Sequence, residues 1–382
     1  MNQNELTLSN TIKYLRFPLT VGIILAHSNL GRLGFVVHGV HYGLNYPDWY
    51  YYINVLFSEV LAMICVPTFF VVSGYLFFYR SDFDSNVYLQ KLKKRFKTLM
   101  IPYLLWNLIA LLIKVTKMLP IFHSIFQNMG NLEFRFSLIR LFNTFFYDDG
   151  SNGLFVDHLQ LVHTTTPLPV NGPMWYVRDL MVIILLTPVI YWLIKKLKFW
   201  FVIGLTIYLY VFGRSLLPEG NYISLLIDYL FFFSWGAYYS IHKQNLITQM
   251  QKLKFVAYLF IPSVIISLLT IDTPYNRYVF LPHILIGIVF VFVATAYLLE
   301  KGKIHVNETL ANCSFFVFAL HSLILNDLGK LMFMGCQLND SPLVLLFLYI
   351  AIPTITIIIC VWLYKLLNKY LPTICGYLTG GR

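Results

Sequence analysis

Ten stretches of about 20 mostly apolar residues, joined by short polar connections, are the feature that limits this chain most. A helical residue rises ~1.5 Å and the hydrocarbon core of a bilayer is ~30 Å thick, so stretches of this kind are long enough to cross a membrane. They run roughly over residues 12–30, 52–79, 99–119, 173–194, 199–213, 222–240, 255–271, 279–299, 313–334 and 343–364. The expected fold is all-α: a polytopic membrane protein with about ten transmembrane helices in one domain, 1–382. Composition agrees, since 12% of the residues are charged and mean hydropathy is +0.68, whereas a soluble domain is about a quarter charged. The 33 Phe, 27 Tyr and 7 Trp exclude disorder, and five scattered Cys exclude a disulfide scaffold.

Cytoplasmic connections of membrane proteins carry an excess of Lys and Arg. With the N-terminus inside, the inner segments hold 19 of the 28 cations: Lys13 and Arg16, those from Arg80 to Lys97, and those in 195–198, 243–254, 301–303 and 365–382. Both termini are therefore expected in the cytoplasm, and the surplus of eleven positive charges reads as topology rather than as a nucleic-acid surface. The first apolar run leads into Asn29-Leu30-Gly31-Arg32 without a small-residue cleavage pattern, so it is expected to be a span and not a removed signal. Pro67 is expected to kink the second span. The one long outer connection, 120–172, carries Asp148-Asp149-Gly150-Ser151-Asn152-Gly153 and reads as loop with some interfacial helix. No Cys or His spacing suits a metal.

Ionisable groups within spans are costly, and they mark function or internal pairing. Arg16 and His27 lie eleven residues apart, ~20° beyond three full turns, so both project from one helix face ~16 Å apart. Each alone also fits a plainer role, Arg16 as a snorkelling anchor and His27 as an interfacial histidine. Together they place a cation low and a titratable base high on one face. Glu59 stands at a depth comparable to His27 and fits either an orienting carboxylate or a bond to a neighbouring helix. Ser73-Gly74, followed by Tyr75, allows close approach of a helix or of a ligand. The run Lys91-Leu92-Lys93-Lys94-Arg95-Phe96-Lys97 fits an ordinary topology signal or a phosphate site. Trp175 and Tyr176 would suit an aromatic belt, Arg178 and Asp179 enter the membrane next and should be paired, and His321 completes the polar set.

Five of these strings, in order, resemble the acyltransferase-3 family of integral membrane acyltransferases, which modify cell-envelope polysaccharides and related acceptors. Arg16, ten intervening residues and His27 match its first-span pattern, and Val66 to Leu76 its second-span motif. The basic run into Ile101-Pro102-Tyr103 and Trp106 resembles its paired-arginine segment, although Lys94 and Lys97 stand where two arginines three apart are usual. Charge is kept there and bidentate phosphate geometry is not. Gly172 to Leu180 fits the fourth-span pattern and Ser314 to His321 the late-span histidine motif.

The resemblance implies an O-acyltransferase of the cell membrane, in bacteria the inner membrane. It would move an acyl group, most commonly acetyl, from cytoplasmic acyl-CoA to a hydroxyl of an extracytoplasmic or membrane-associated glycan. On that reading His27 is the general base with Glu59 beside it. Arg16, Ser73, Gly74, Tyr75, Lys93, Lys94, Arg95 and Lys97 hold the donor, while Trp175, Tyr176, Arg178, Asp179 and His321 serve the substrate or the structure. Acyl-CoA is a co-substrate, with no tightly bound cofactor and no metal. The extra extracytoplasmic domain of some members is expected to be absent. A rival class, a transporter or flippase for a lipid-linked saccharide or small solute, would need an internal repeat and matching interrupted spans, and neither is evident. A different acyltransferase family, with its key histidine late in the chain, stays open through His321.

Overall fold

The computed structural model describes residues 3–29, 35–37, 40–42, 46–119, 132–157, 167–211, 222–336 and 341–381. Helix α1 (Gln3–Ala26) is followed by a hairpin of β1 (Phe35–Val37) and β2 (Val40–Tyr42), then by the long helices α2 (Asp48–Phe78) and α3 (Ser85–Lys117). A connecting segment holds β3 (Leu132–Phe134), α4 (Leu138–Phe146) and β4 (Phe155–Asp157). After it come α5 (Gly172–Leu185), α6 (Thr187–Leu197), α7 (Phe199–Val211) and α8 (Tyr222–Ile241). The rest is α9 (Leu246–Lys252), α10 (Phe260–Thr270), α11 (Asn276–Glu300), α12 (Glu308–Gly335), α13 (Pro342–Tyr370) and α14 (Pro372–Thr379).

Each of the ten expected stretches is helical over most of its length. Five helices, α2, α3, α11, α12 and α13, are long and apolar enough to cross a membrane, and the bent pair α5 and α6 makes a sixth if taken as one span. The two hairpins, with Phe35 opposite Tyr42 and Leu132 opposite Asp157, depart from the all-α expectation. Both lie in connections, where β-branched and aromatic residues pair as short ribbons.

Proline chemistry explains the irregular places. Pro188 has no N–H for the Ile184 carbonyl, and the chain bends by 61° between α5 and α6. The freed carbonyl accepts instead from Thr187 Oγ1 at 2.6 Å. The distortion expected at Pro67 lies just before it, as a π turn over Leu56–Leu61 and a 3-10 turn over Ala62–Ile64. Buried His283 donates from Nε2 to the Val60 carbonyl in that π turn at 3.0 Å. Helix α3 begins far earlier than the apolar run because Asp84 caps it, its carboxylate accepting from Val87 N at 2.8 Å. The basic run is thereby helical, and a second π turn, Phe96–Met100, follows it.

Close packing fixes α2 against α8. A Cβ on Gly74 would strike the Phe233 carbonyl, and one on Gly236 would strike the Val71 carbonyl, so the two backbones meet through two hydrogens. Small residues allow the van der Waals contact that drives helix association in lipid. Helix α1 lies in the interior, packed on α2, α11 and α12. Ion pairs collect at the ends of the bundle. Arg80–Glu5 at 2.5 Å and Lys13–Glu308 at 2.7 Å mark the end that holds the N-terminus, and Lys117–Asp327 the opposite one.

Candidate functional site

A cavity of about 560 Å³ lies between α1, α2, α3, α5 and α12. Arg16, Lys91, Lys94 and Arg95 line its end nearer the N-terminus. No Asp or Glu is on the described wall, and none of the four cations has an ion pair among the described residues. Unneutralised cations around a concave space attract an anion. Thr98 adds a buried hydroxyl without a hydrogen-bond partner on the same wall. Beyond the cations the wall becomes apolar, with Ile23, Phe69, Val72 and Phe318. Ser73 and Tyr176 interrupt it, their hydroxyls 3.2 Å apart.

Helical period decides which expected residues reach this space. Lys91, Lys94, Arg95 and Thr98 follow three- and four-residue steps and share a face. Lys93 and Lys97, expected to hold the donor, are exposed and off the wall, because one run of seven helical residues cannot turn every cation to one side. Lys91, the first cation of the run read as a phosphate site, lines the cavity while its ammonium donates to the Phe77 carbonyl and, at 2.8 Å, to Ser81 Oγ. Gly74 and Tyr75 are not on the wall: Gly74 packs against α8, and Tyr75 is buried behind Tyr79, which lines the cavity. Of that motif, Ser73 faces the cavity. The chain's end contributes as well. Trp106 Nε1 donates to the Leu378 carbonyl at 3.0 Å, and Gly380, at φ +70° with its Cα against Thr98 O, brings Gly381 to the wall.

Arg16, Thr20 and Ile23 line the cavity at steps of four and three, and His27 continues the same stripe four residues on. The cavity wall follows that face from Arg16 to Ile23, and His27 stands about one turn beyond it. His27 is exposed at the C-terminal end of α1. Its described ring neighbour is His321, with centroids 5.5 Å apart and planes inclined by 35°. His321 is wholly buried, and its Nδ1 donates to the Phe318 carbonyl at 2.6 Å. Glu59 lies half-buried in the first π turn. That turn is seated on α1 by Ser58, which donates to the Leu25 carbonyl at 2.6 Å and accepts from the Tyr349 hydroxyl at 2.8 Å.

The Arg178 guanidinium is tied up structurally. It pairs with Asp179 at 2.8 Å and donates to the Phe146 carbonyl at 2.7 Å and the Pro167 carbonyl at 3.1 Å, pinning the connecting segment. Trp175 and Tyr176 are half-buried and pack on Tyr229 and Phe70. Asn171, given no role by the sequence, is a buried junction. Its N–H donates to Asn107 Oδ1 at 3.0 Å and its amide to the Ala319 carbonyl at 2.9 Å, while Ser322 donates to its Oδ1 at 2.9 Å. Only the fold, which brings 107, 171 and 322 together, reveals it. Among the described residues no group of three His, Cys, Asp or Glu could hold a metal.

Five to six long apolar helices around a cavity lined at one end by cations describe a helical membrane protein. Residues 10–365 match the model of the acyltransferase-3 family, described as an acyltransferase domain, and the chain belongs to that family. Over 244 residues it is 29% identical to the succinoglycan biosynthesis protein ExoH of Rhizobium meliloti (strain 1021), an alignment covering 63% of this chain and 56% of that protein. No solved structure matches.

Proposed function

We propose that this membrane acyltransferase takes its acyl group from cytoplasmic acyl-CoA and transfers it to a hydroxyl of an extracytoplasmic or membrane-associated glycan. The observation that supports this best is the continuous α1 face, from Arg16 in a cavity with four cations and no carboxylate on its described wall to His27 at the far end. An acyl-CoA has phosphates at one end and a long neutral arm ending in a thioester. The cations suit the phosphates, with Arg16 and Arg95 able to bind them through paired donors and Lys91 and Lys94 as point charges. The apolar wall past Ser73 and Tyr176 suits the arm, and His27 suits the reacting end.

In the transfer, the acceptor oxygen forms a bond to the acyl carbon while His27 removes its proton, and the carbon–sulfur bond breaks. His27 then returns the proton to the departing thiolate. General-base help of this kind is worth about 10²–10⁴ in rate. The acceptor class follows the similar Rhizobium protein, a succinoglycan biosynthesis protein. Acetyl is the first donor to test and succinyl the second. The chain is read as ten spans with both termini in the cytoplasm of a bacterial inner membrane. Five to six of its helices meet the length and apolarity needed for a span; the reading takes the shorter apolar α7 and α10, together with α1 and α8, as the remaining four.

Purified full-length protein in lipid nanodiscs should bind coenzyme A and release thiol from acetyl-CoA or succinyl-CoA. Envelope glycans from cells carrying the gene should bear acyl groups that are missing when it is deleted. No coenzyme A binding together with unchanged glycan acylation would overturn the proposal. Thiol-reactive labelling of cysteines placed at both termini, blocked in intact cells and seen after lysis, checks the orientation.

A further inference from the structure

We infer that His321 is the positioning partner of His27: its Nε2 accepts the hydrogen from the facing nitrogen of His27 and so fixes which nitrogen of His27 is left bare to act as the base. The inference rests on the reading of His27 as that base.

The tautomer of His321 follows from its contacts. A carbonyl only accepts, so the 2.6 Å contact to Phe318 O puts the hydrogen of His321 on Nδ1. A neutral imidazole with hydrogen on Nδ1 has a lone pair and no hydrogen on Nε2. That Nε2 is buried and has no hydrogen-bond partner, whereas buried polar atoms ordinarily have one. Its ring stands 5.5 Å from the ring of His27. Two facing imidazoles joined by a nitrogen-to-nitrogen hydrogen bond of about 3 Å have their centres at close to this separation once both ring radii are added. The two rings are not hydrogen-bonded in the structure, and a small rotation of the exposed His27 ring would bring its N–H to the orphaned lone pair.

The surroundings hold His321 still. On one side of it in the chain, the Ala319 carbonyl accepts from Asn171, and on the other, Ser322 donates to the same Asn171. His27, by contrast, is exposed at the end of its helix, where a substrate can reach it. A buried, fixed acceptor behind an exposed imidazole is the arrangement that orients a base. When His27 takes the hydroxyl proton it becomes a cation, and His321 then receives a charge-assisted hydrogen bond from it. The proton leaves on the thiol, so His321 keeps its own hydrogen on Nδ1 throughout.

The test uses the full chain in nanodiscs with acetyl-CoA and succinyl-CoA as donors and water as the hydroxyl acceptor. His321→Leu, which removes the acceptor, should lower kcat about a hundredfold, with donor KM within about twofold of the parent. His321→Gln places an amide oxygen near the lost Nε2 and should stay within about tenfold of the parent in kcat. Equal KM in the two variants shows that both are folded. Parental kcat in His321→Leu, beside an inactive His27→Gln, would overturn the inference and leave the base assignment standing. An active His27→Gln would overturn both. A readout that needs no turnover is ¹⁵N NMR of histidine-labelled protein, in which His321 should show a protonated Nδ1 and a bare Nε2. A protonated Nε2 on His321 would also overturn the inference.

Discussion

The two ends of the cavity stripe are built on opposite plans. At the Arg16 end, four cations from two helices surround a space, three half-buried and Lys94 exposed, and none is paired with a carboxylate among the described residues. At the His27 end stand two imidazoles, one of them wholly buried and held by its own helix carbonyl. The first plan tolerates movement, because attraction between charges falls off slowly with distance. The second does not, because proton transfer needs hydrogen-bond distance and direction. The lesson is a division of labour along one helix face: the cationic end should set how much donor is bound, and the imidazole end how fast it reacts.

The largest effect expected is at the imidazole end. His27→Ala should lower turnover about 10²–10⁴-fold while donor affinity, measured by coenzyme A binding, stays near that of the parent. Loss of both together would erase the division. Next, replacing Lys94 or Arg95 with Ala should raise donor KM about ten- to a hundredfold with kcat little changed, since a charged hydrogen bond is worth about 1.5–3 kcal/mol. Lys93→Ala with Lys97→Ala is the control that sharpens the point. Both cations lie off the wall, so donor KM should move less than about twofold, as surface charges contribute little.

A smaller effect, felt equally at both ends, is expected from the scaffold between them. Gly236→Ala pushes a methyl group at the Val71 carbonyl and should destabilise the protein by about 1–3 kcal/mol. Thermal unfolding should show it, with kcat and KM per folded molecule unchanged. The smallest concerns the turn at Asp149. Burial pushes that carboxyl up, but hydrogen bonds from Ser151 N and Oγ and from Asn152 N outweigh it and hold the group below the usual carboxylate range. The stabilisation is therefore fully present above the ordinary aspartate value of about 3.9 and is lost as pH falls through the lower folded value. Hydrogen exchange in residues 148–157 should rise in that acid range, and Asp149→Asn should raise it at neutral pH, with donor turnover within about twofold of the parent.

What the sequence could reveal depended on range. The Arg16–His27 face was legible because helical period is local, and the stripe through Thr20 and Ile23 follows it. The basic run was legible as charge but not as ligands: its direction depends on where α3 starts, and that was hidden in the cap at Asp84. The doublet Ser73-Gly74 permitted two outcomes, and the fold uses both, one residue for the cavity and the other for α8. Neither the closeness of His321 to His27 nor the junction at Asn171 could be read at all. Each joins segments separated by 64 residues or more, and no local pattern carries that information.

The π turn at Phe96–Met100 has a consequence for how this site can vary. Such a turn carries one residue more than the α turn it replaces. Removing a single residue there would shorten the helix by only ~1.5 Å, yet it would rotate everything before it by ~100° relative to everything after. Lys94 and Arg95 would keep their identity and lose their address. Phase, set by a count of residues, is therefore as much a part of the cationic end as charge is, and an insertion or deletion in that turn should be worse tolerated than an exchange of Lys for Arg on either side of it.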